Sequence, residues 1–142
     1  MSYREAYLWG KPYKKLNDEQ KETRDKLIKA FRSYKTDMAD IENKEILLNN
    51  GTLSEVEKKQ LEISIEKDKL RLMYLDNLIK PLIKKDKELI YYKYIQGLTH
   101  SQIVQYSSYY NKLSSIQARA SRIIGILTLR IDPLIFKENY NE

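Results

Sequence analysis

Residues 86–123 read DKELIYYKYIQGLTHSQIVQYSSYYNKLSSIQARASRI, and this stretch decides the fold. Three short amphipathic segments lie in and just before it. In the first, Leu82, Ile83, Leu89, Ile90, Tyr94 and Ile95 recur in pairs at helical spacing. Pro81 is placed for its first turn, where a missing N–H costs nothing, and Gly97 for the left-handed conformation just past its end. Thr99 opens the second segment as an N-cap, with Gln102 three residues on to complete a capping box, and Ile103 and Val104 supply buried contacts. The third starts near Ser114, with Gln117 again three residues later, or else from Asn111 as the cap. Ile116, Ala120, Ile123, Ile124 and Leu127 form its inward face.

This order predicts a helix-turn-helix behind a supporting helix, a unit that sets one helix into the DNA major groove. Ser114, Ser115, Gln117, Ala118, Arg119, Ser121 and Arg122 occupy the outward faces of the last helix. Arg bonds guanine bidentately, Gln does the same for adenine, and Ser reaches bases or phosphates. Ala118 and Ser121 are small enough to let the helix backbone approach the bases. His100, Ser101 and Lys112 are placed for phosphates, and Thr99 beside them is a further candidate for DNA contact. The competing reading is a plain three-helix bundle with a solvated charged face. The ordered caps and the glycine stop favour DNA.

Glu88, Tyr94, Gly97, Leu98, Thr99, Ile103 and Val104, followed by Ile116, Gln117, Arg119, Ser121 and Arg122, resemble the C-terminal promoter-reading domain of bacterial sigma factors. A free-standing version behind a helical N-terminal region is similar to the ArpU, RinA and LtrC type of late-gene transcription regulators in phages of Gram-positive bacteria. The resemblance covers about the last third of the chain. It implies promoter DNA as ligand and host RNA polymerase as a further contact. Two positions depart from the pattern: Val104 stands where the family has Ala, and YSSYYNK (residues 106–112) is about two residues longer than the usual turn and lacks its glycine.

The chain has 142 residues, near the modal size of a domain, and a formal net charge of +6. Residues 1–80 carry 17 Lys/Arg against 15 Asp/Glu, and residues 81–142 carry 9 against 5, so the basic excess sits with the proposed reading head. Absence of Cys removes disulfides, thiol nucleophiles and Cys-ligated zinc, and fits a reducing cytoplasm. No apolar run approaches a membrane span, and Met1–Pro12 lacks the apolar core of a signal peptide. Abundant Lys, Ile, Asn and Tyr suit an AT-rich genome, which agrees with the cytoplasm of a low-GC bacterial host. One His, four Gly and no phosphate-loop motif leave few ways to build catalysis. A non-enzyme without cofactor or metal is expected.

Residues 17–80 read as two long helices. Leu27, Phe31, Tyr34, Met38, Ile41 and Leu48 follow steps of four and three, broken once at Glu45, which is the spacing of a dimerisation seam. Asn49, Asn50 and Gly51 end the first helix, and Thr52 with Glu55 caps the second. Ahead of them, Tyr3, Tyr7, Leu8, Trp9 and Tyr13 form an aromatic leader.

The expectation is an all-α chain: a long antiparallel helical hairpin over residues 1–80, then a sigma-like helix-turn-helix bundle over residues 81–142. Its expected role is a homodimeric, sequence-specific regulator of transcription on double-stranded DNA, an activator of phage or mobile-element late genes. The alternatives are a phage terminase small subunit and a protein-interaction module with an acidic partner.

Overall fold

Asn17 starts the first helix by a reciprocal cap. Its side chain accepts from the Gln20 N–H (2.8 Å), and the Gln20 side chain accepts from the Asn17 N–H (2.9 Å). The structure, a computed structural model, describes residues 15–136, and every regular element among them is helical. In chain order these are α1 (Asp18–Arg32), α2 (Tyr34–Asn50), α3 (Glu55–Ile79), α4 (Lys84–Ile90), α5 (His100–Tyr106) and α6 (Leu113–Arg130). A π-helical turn (Tyr91–Ile95) continues α4, and a 3₁₀ turn (Pro133–Phe136) follows α6. The aromatic leader, Tyr3 to Tyr13, lies outside the described residues.

The first long helix expected from the sequence is two helices. Ser33 (φ −90°, ψ 0°) breaks it, and the Ser33 hydroxyl donates to the Ala30 carbonyl and to Asp37. The cap of α3 also lies two residues later than Thr52: Ser54 and Glu57 exchange the capping hydrogen bonds. Gly51 does end α2. A side chain there would meet the Leu47 carbonyl oxygen at 2.5 Å, so only glycine fits this close approach. Pro81 sits in the turn between α3 and α4, ahead of the first residue of α4 rather than inside its first turn.

One core runs through the molecule. Leu27 and Phe31 of α1 are fully buried and share it with Leu89, Ile103, Ile116 and Leu127. α1 packs on α6 and on the π turn, where the Phe31 and Tyr94 ring centroids are 6.5 Å apart. A boundary at residue 80 therefore does not separate two cores, because α1 belongs with the C-terminal bundle.

α2 and α3 form the antiparallel hairpin, pinned by Lys44 to Asp68 (2.7 Å) and Lys69 to Glu45 (3.0 Å). Tyr34 donates from its hydroxyl to Asp76 (2.7 Å), and burial together with that carboxylate pushes the pKa of the phenol up to about 12.

This packing revises the expected dimerisation seam. Leu27, Phe31 and Ile41 are buried inside their own chain, Leu48 packs partly against the same core, and Tyr34 is bonded to Asp76. Of the six, Met38 is exposed. Steps of three and four cannot distinguish a seam between chains from one within a chain. Here the break at Ser33 separates α1, packed on α6, from the hairpin.

The π turn has a packing reason. At about 100° per residue an α-helix would carry Ile95 about 180° away from Asp86. Both are buried, and the wider turn keeps Tyr94 and Ile95 on the inward side.

Candidate nucleic-acid interface

α5 and α6 form the turn-linked pair. Gly97 takes φ +72°, ending the π turn as a left-handed residue. Thr99 then caps α5: its hydroxyl accepts from the Gln102 N–H (3.2 Å), and the Gln102 side chain accepts from the Thr99 N–H (2.9 Å). Ile103 is fully buried and Val104 packs beside it.

The long turn has its own order. The Ser107 hydroxyl accepts from the N–H groups of Tyr109 and Tyr110 (3.0 and 3.1 Å). This directs Tyr110 into the core, where it is 4% exposed. The extra length of residues 106–112 therefore accommodates the buried Tyr110 ring, whose hydroxyl reaches Asp86 of α4.

α6 begins at Leu113, after an extended Lys112 whose side chain makes no capping bond. Neither Ser114 nor Asn111 is the cap. The Ser115 hydroxyl donates to the Lys112 carbonyl (2.9 Å), and Gln117 donates to Ser121 (3.2 Å) instead of reaching back to Ser114. All five residues predicted for the inward face of α6 are buried. Ser114, Ser115, Gln117, Ala118 and Ser121 are exposed, and Arg122 is half-buried. Positions 114, 118, 121 and 122 share one side of the helix. Thr99, Ser101 and Lys112 are exposed nearby.

Arg119 points elsewhere. Its guanidinium bonds the carboxylate of Asp86 on α4 (3.2 and 3.5 Å), and Asp86 has no solvent exposure. The Tyr110 hydroxyl donates to the same carboxylate (3.5 Å). Burial raises the Asp86 carboxyl above its ordinary value, against the pull of Arg119. Burial raises the Tyr110 phenol too, and the Asp86 charge adds to that. Arg119 thus ties α6 to α4, so the guanidinium expected at a base is engaged here in an internal ion pair.

A second polar cluster ties all three elements together on the outside. Lys93 of the π turn donates to His100 Nε2 at the start of α5 (2.7 Å) and reaches Gln117 of α6 (3.4 Å). Burial lowers the Lys93 ammonium, helped by the positive charge of Arg32 on α1. Burial and then Lys93 lower His100, which suits a neutral ring accepting from the ammonium.

The sequence pointed to His100 and Gln117 but not to Lys93, Arg32, Asp86 or Tyr110. Pairing across tens of residues leaves no periodic signal. Between α1 and α6 an open trough of about 690 Å³ runs beside this cluster.

Among the described residues no group of three or more His, Asp or Glu is placed to hold a metal ion, and no helix is long and apolar enough to cross a membrane. No protein-family model, curated protein or solved structure matches the chain.

Proposed function

We propose that this chain binds double-stranded DNA in a sequence-dependent manner through the outward face of α6 and regulates transcription from a nearby promoter. The observation that carries the reading is the exposed row Ser114, Ala118 and Ser121, with exposed Gln117 and half-buried Arg122 beside it. It lies on a helix whose opposite face is sealed into the core, behind a side-chain-capped α5. Small residues with donors and acceptors between them suit close approach to base edges. Gln117→Ala should cost about 1–3 kcal/mol at a specific site and relax preference at one position. Lys112→Ala should weaken binding to all sequences and lower the salt slope by about one.

The sigma-like pattern of α4–α6 supports activation of phage or mobile-element late genes, with host RNA polymerase as a second contact. Val56, Ile63 and Leu70 recur every seven residues on α3 and are all exposed, which supports self-association of the hairpin into a homodimer. A terminase small subunit would use the same parts in a ring, and a light-scattering mass separates ring from dimer.

The test is to capture fragments of the encoding genome on the purified chain and footprint them. Discrete protected sequences are expected, and protection no different from random duplex would overturn the reading. For activation, a reporter on the adjacent promoter should rise when the protein is supplied. Flat or falling output leaves repression or packaging.

A further inference from the structure

The fold sorts the charges of α1 in a way its sequence does not announce. Asp18–Arg32 holds five cations and four acids, nearly balanced along the chain. Lys21, Arg24 and Arg32, spaced at helical intervals with Ile28 among them, line the trough facing α6. Asp18, Glu19 and Glu22 do not line it, and Glu22 forms an ion pair with Lys26 (3.6 Å).

Lys15 and Lys93 add two more cations to the trough walls. Asp25 is its one acid, and it is already bonded to Arg24 (3.2 Å). Arg32 and Lys93 sit close enough for the charge of one to depress the other, and no carboxylate pairs with either among the described residues. Five cations gathered around a single acid leave an excess of positive charge that suits an anion.

The far wall of the trough names the anion. It is made by Gln117 and Ser121, with Ile124 and Gly125 deeper, so the trough runs alongside the edge of the proposed reading face. A helix seated in a major groove has a phosphodiester backbone along each flank. We propose that the trough between α1 and α6 holds the DNA backbone strand flanking the reading helix, with Lys21, Arg24, Arg32 and Lys93 contacting successive phosphates.

α1 is then a second DNA-contacting element, outside the helix-turn-helix. The proposal rests on α6 reading DNA. A free nucleotide shares the phosphate chemistry, but a trough open along its length suits a continuous strand.

Lys21→Ala/Arg24→Ala/Arg32→Ala tests this, since these side chains leave the buried Leu27 and Phe31 in place. Each lost phosphate contact lowers the slope of log affinity against log salt by about 0.9, so the triple variant should lose about two to three. It should weaken specific and random duplexes alike while the preference among sequences stays unchanged. Lys59→Ala/Lys67→Ala/Lys80→Ala removes the same net charge from α3 and its C-terminus and should leave the slope nearly as in the wild type.

Equal slopes in the two triple variants would overturn the proposal while DNA reading by α6 stands. A wild type that binds no duplex overturns both. Titration with ATP in the absence of DNA should show no saturable binding; saturable binding lost in the α1 variant would assign the trough to a free nucleotide instead. Ethylation interference should place the phosphates that matter only to wild type on one flank of the footprint.

Discussion

In the bundle of α1, α4, α5 and α6, the large side chains of Leu27, Phe31, Leu89, Ile103, Ile116 and Leu127 expose nothing to solvent. Along the hairpin of α2 and α3, Met38, Ile46, Val56, Ile63, Leu70 and Met73 all stand open. The ion pairs differ in the same way. Asp86 under Arg119 is fully buried, whereas Lys44 and Asp68 are each about a third exposed. The bundle is a finished object that fixes the position of α6. The hairpin carries apolar surface that the other described residues leave uncovered. Burial is thus divided unevenly between the two regions.

The sharpest break of this contrast is at the two carboxylates. Asp86→Ala should lower unfolding free energy by about 3 kcal/mol, because the buried carboxylate facing the Arg119 guanidinium and the Tyr110 hydroxyl is removed. Asp68→Ala should cost about 1 kcal/mol or less in the same urea titration, since solvent screens the pair. Equal losses would show that burial does not distinguish the two regions.

Next in size is a pair of apolar truncations. Leu27→Ala should cost about 3 kcal/mol through cavity formation, and Ile63→Ala should stay within about 0.5 kcal/mol for the monomer. Ile63→Asp/Leu70→Asp should leave that stability in place and shift the sedimentation mass from dimer to monomer. A wild type that sediments as a monomer at micromolar concentration would instead leave the α3 stripe to a different partner.

Thr99→Ala should cost about 1 kcal/mol by removing the cap of α5, and should loosen DNA binding with it.

The smallest expected effect is in pH. Folding lowers the His100 pKa, so its neutral form is the one the fold favours. The stability it contributes is present above the ordinary histidine value of about 6.5 and is lost as pH falls through the lowered one. Between pH 7.5 and 5.5 the wild type should lose more melting temperature than His100→Gln. An identical loss would mean that neither burial nor Lys93 burdens the protonated ring. Asp86 runs the other way: its raised pKa makes its contribution fullest at low pH, fading as pH rises through the raised value.

Local chemistry was legible in the sequence and distant pairing was not. Thr99 with Gln102 and Gly97 before them act within a few residues, and both appear where their side chains and backbone freedom place them. The inward face of α6 followed from helical spacing in the same way. Ser33 was missed because a break with no Gly or Pro leaves the steps of three and four uninterrupted across it.

Ser114 with Gln117 has the pattern of a capping box but lies inside the helix, one residue past its start. Arg119 fits the pattern of a base reader, and its counter-charge stands 33 positions earlier, beyond the reach of any local rule. The α1 cations were hidden for another reason. Their neighbours in sequence cancel them, and only the fold separates the two signs.

Because α1 and α6 share a core, the hairpin can be viewed as an arm inserted into a single bundle. Its tip, from Asn49 through the Gly51 turn to Gln60, contributes no residue to the core or to the half-buried side chains packed against it. Removing or adding whole turns there changes the arm by about 5.4 Å per turn in each helix and leaves the seat of α6 untouched. In a dimer joined through such arms their length would act as a ruler, setting how far apart along the duplex the two heads can land.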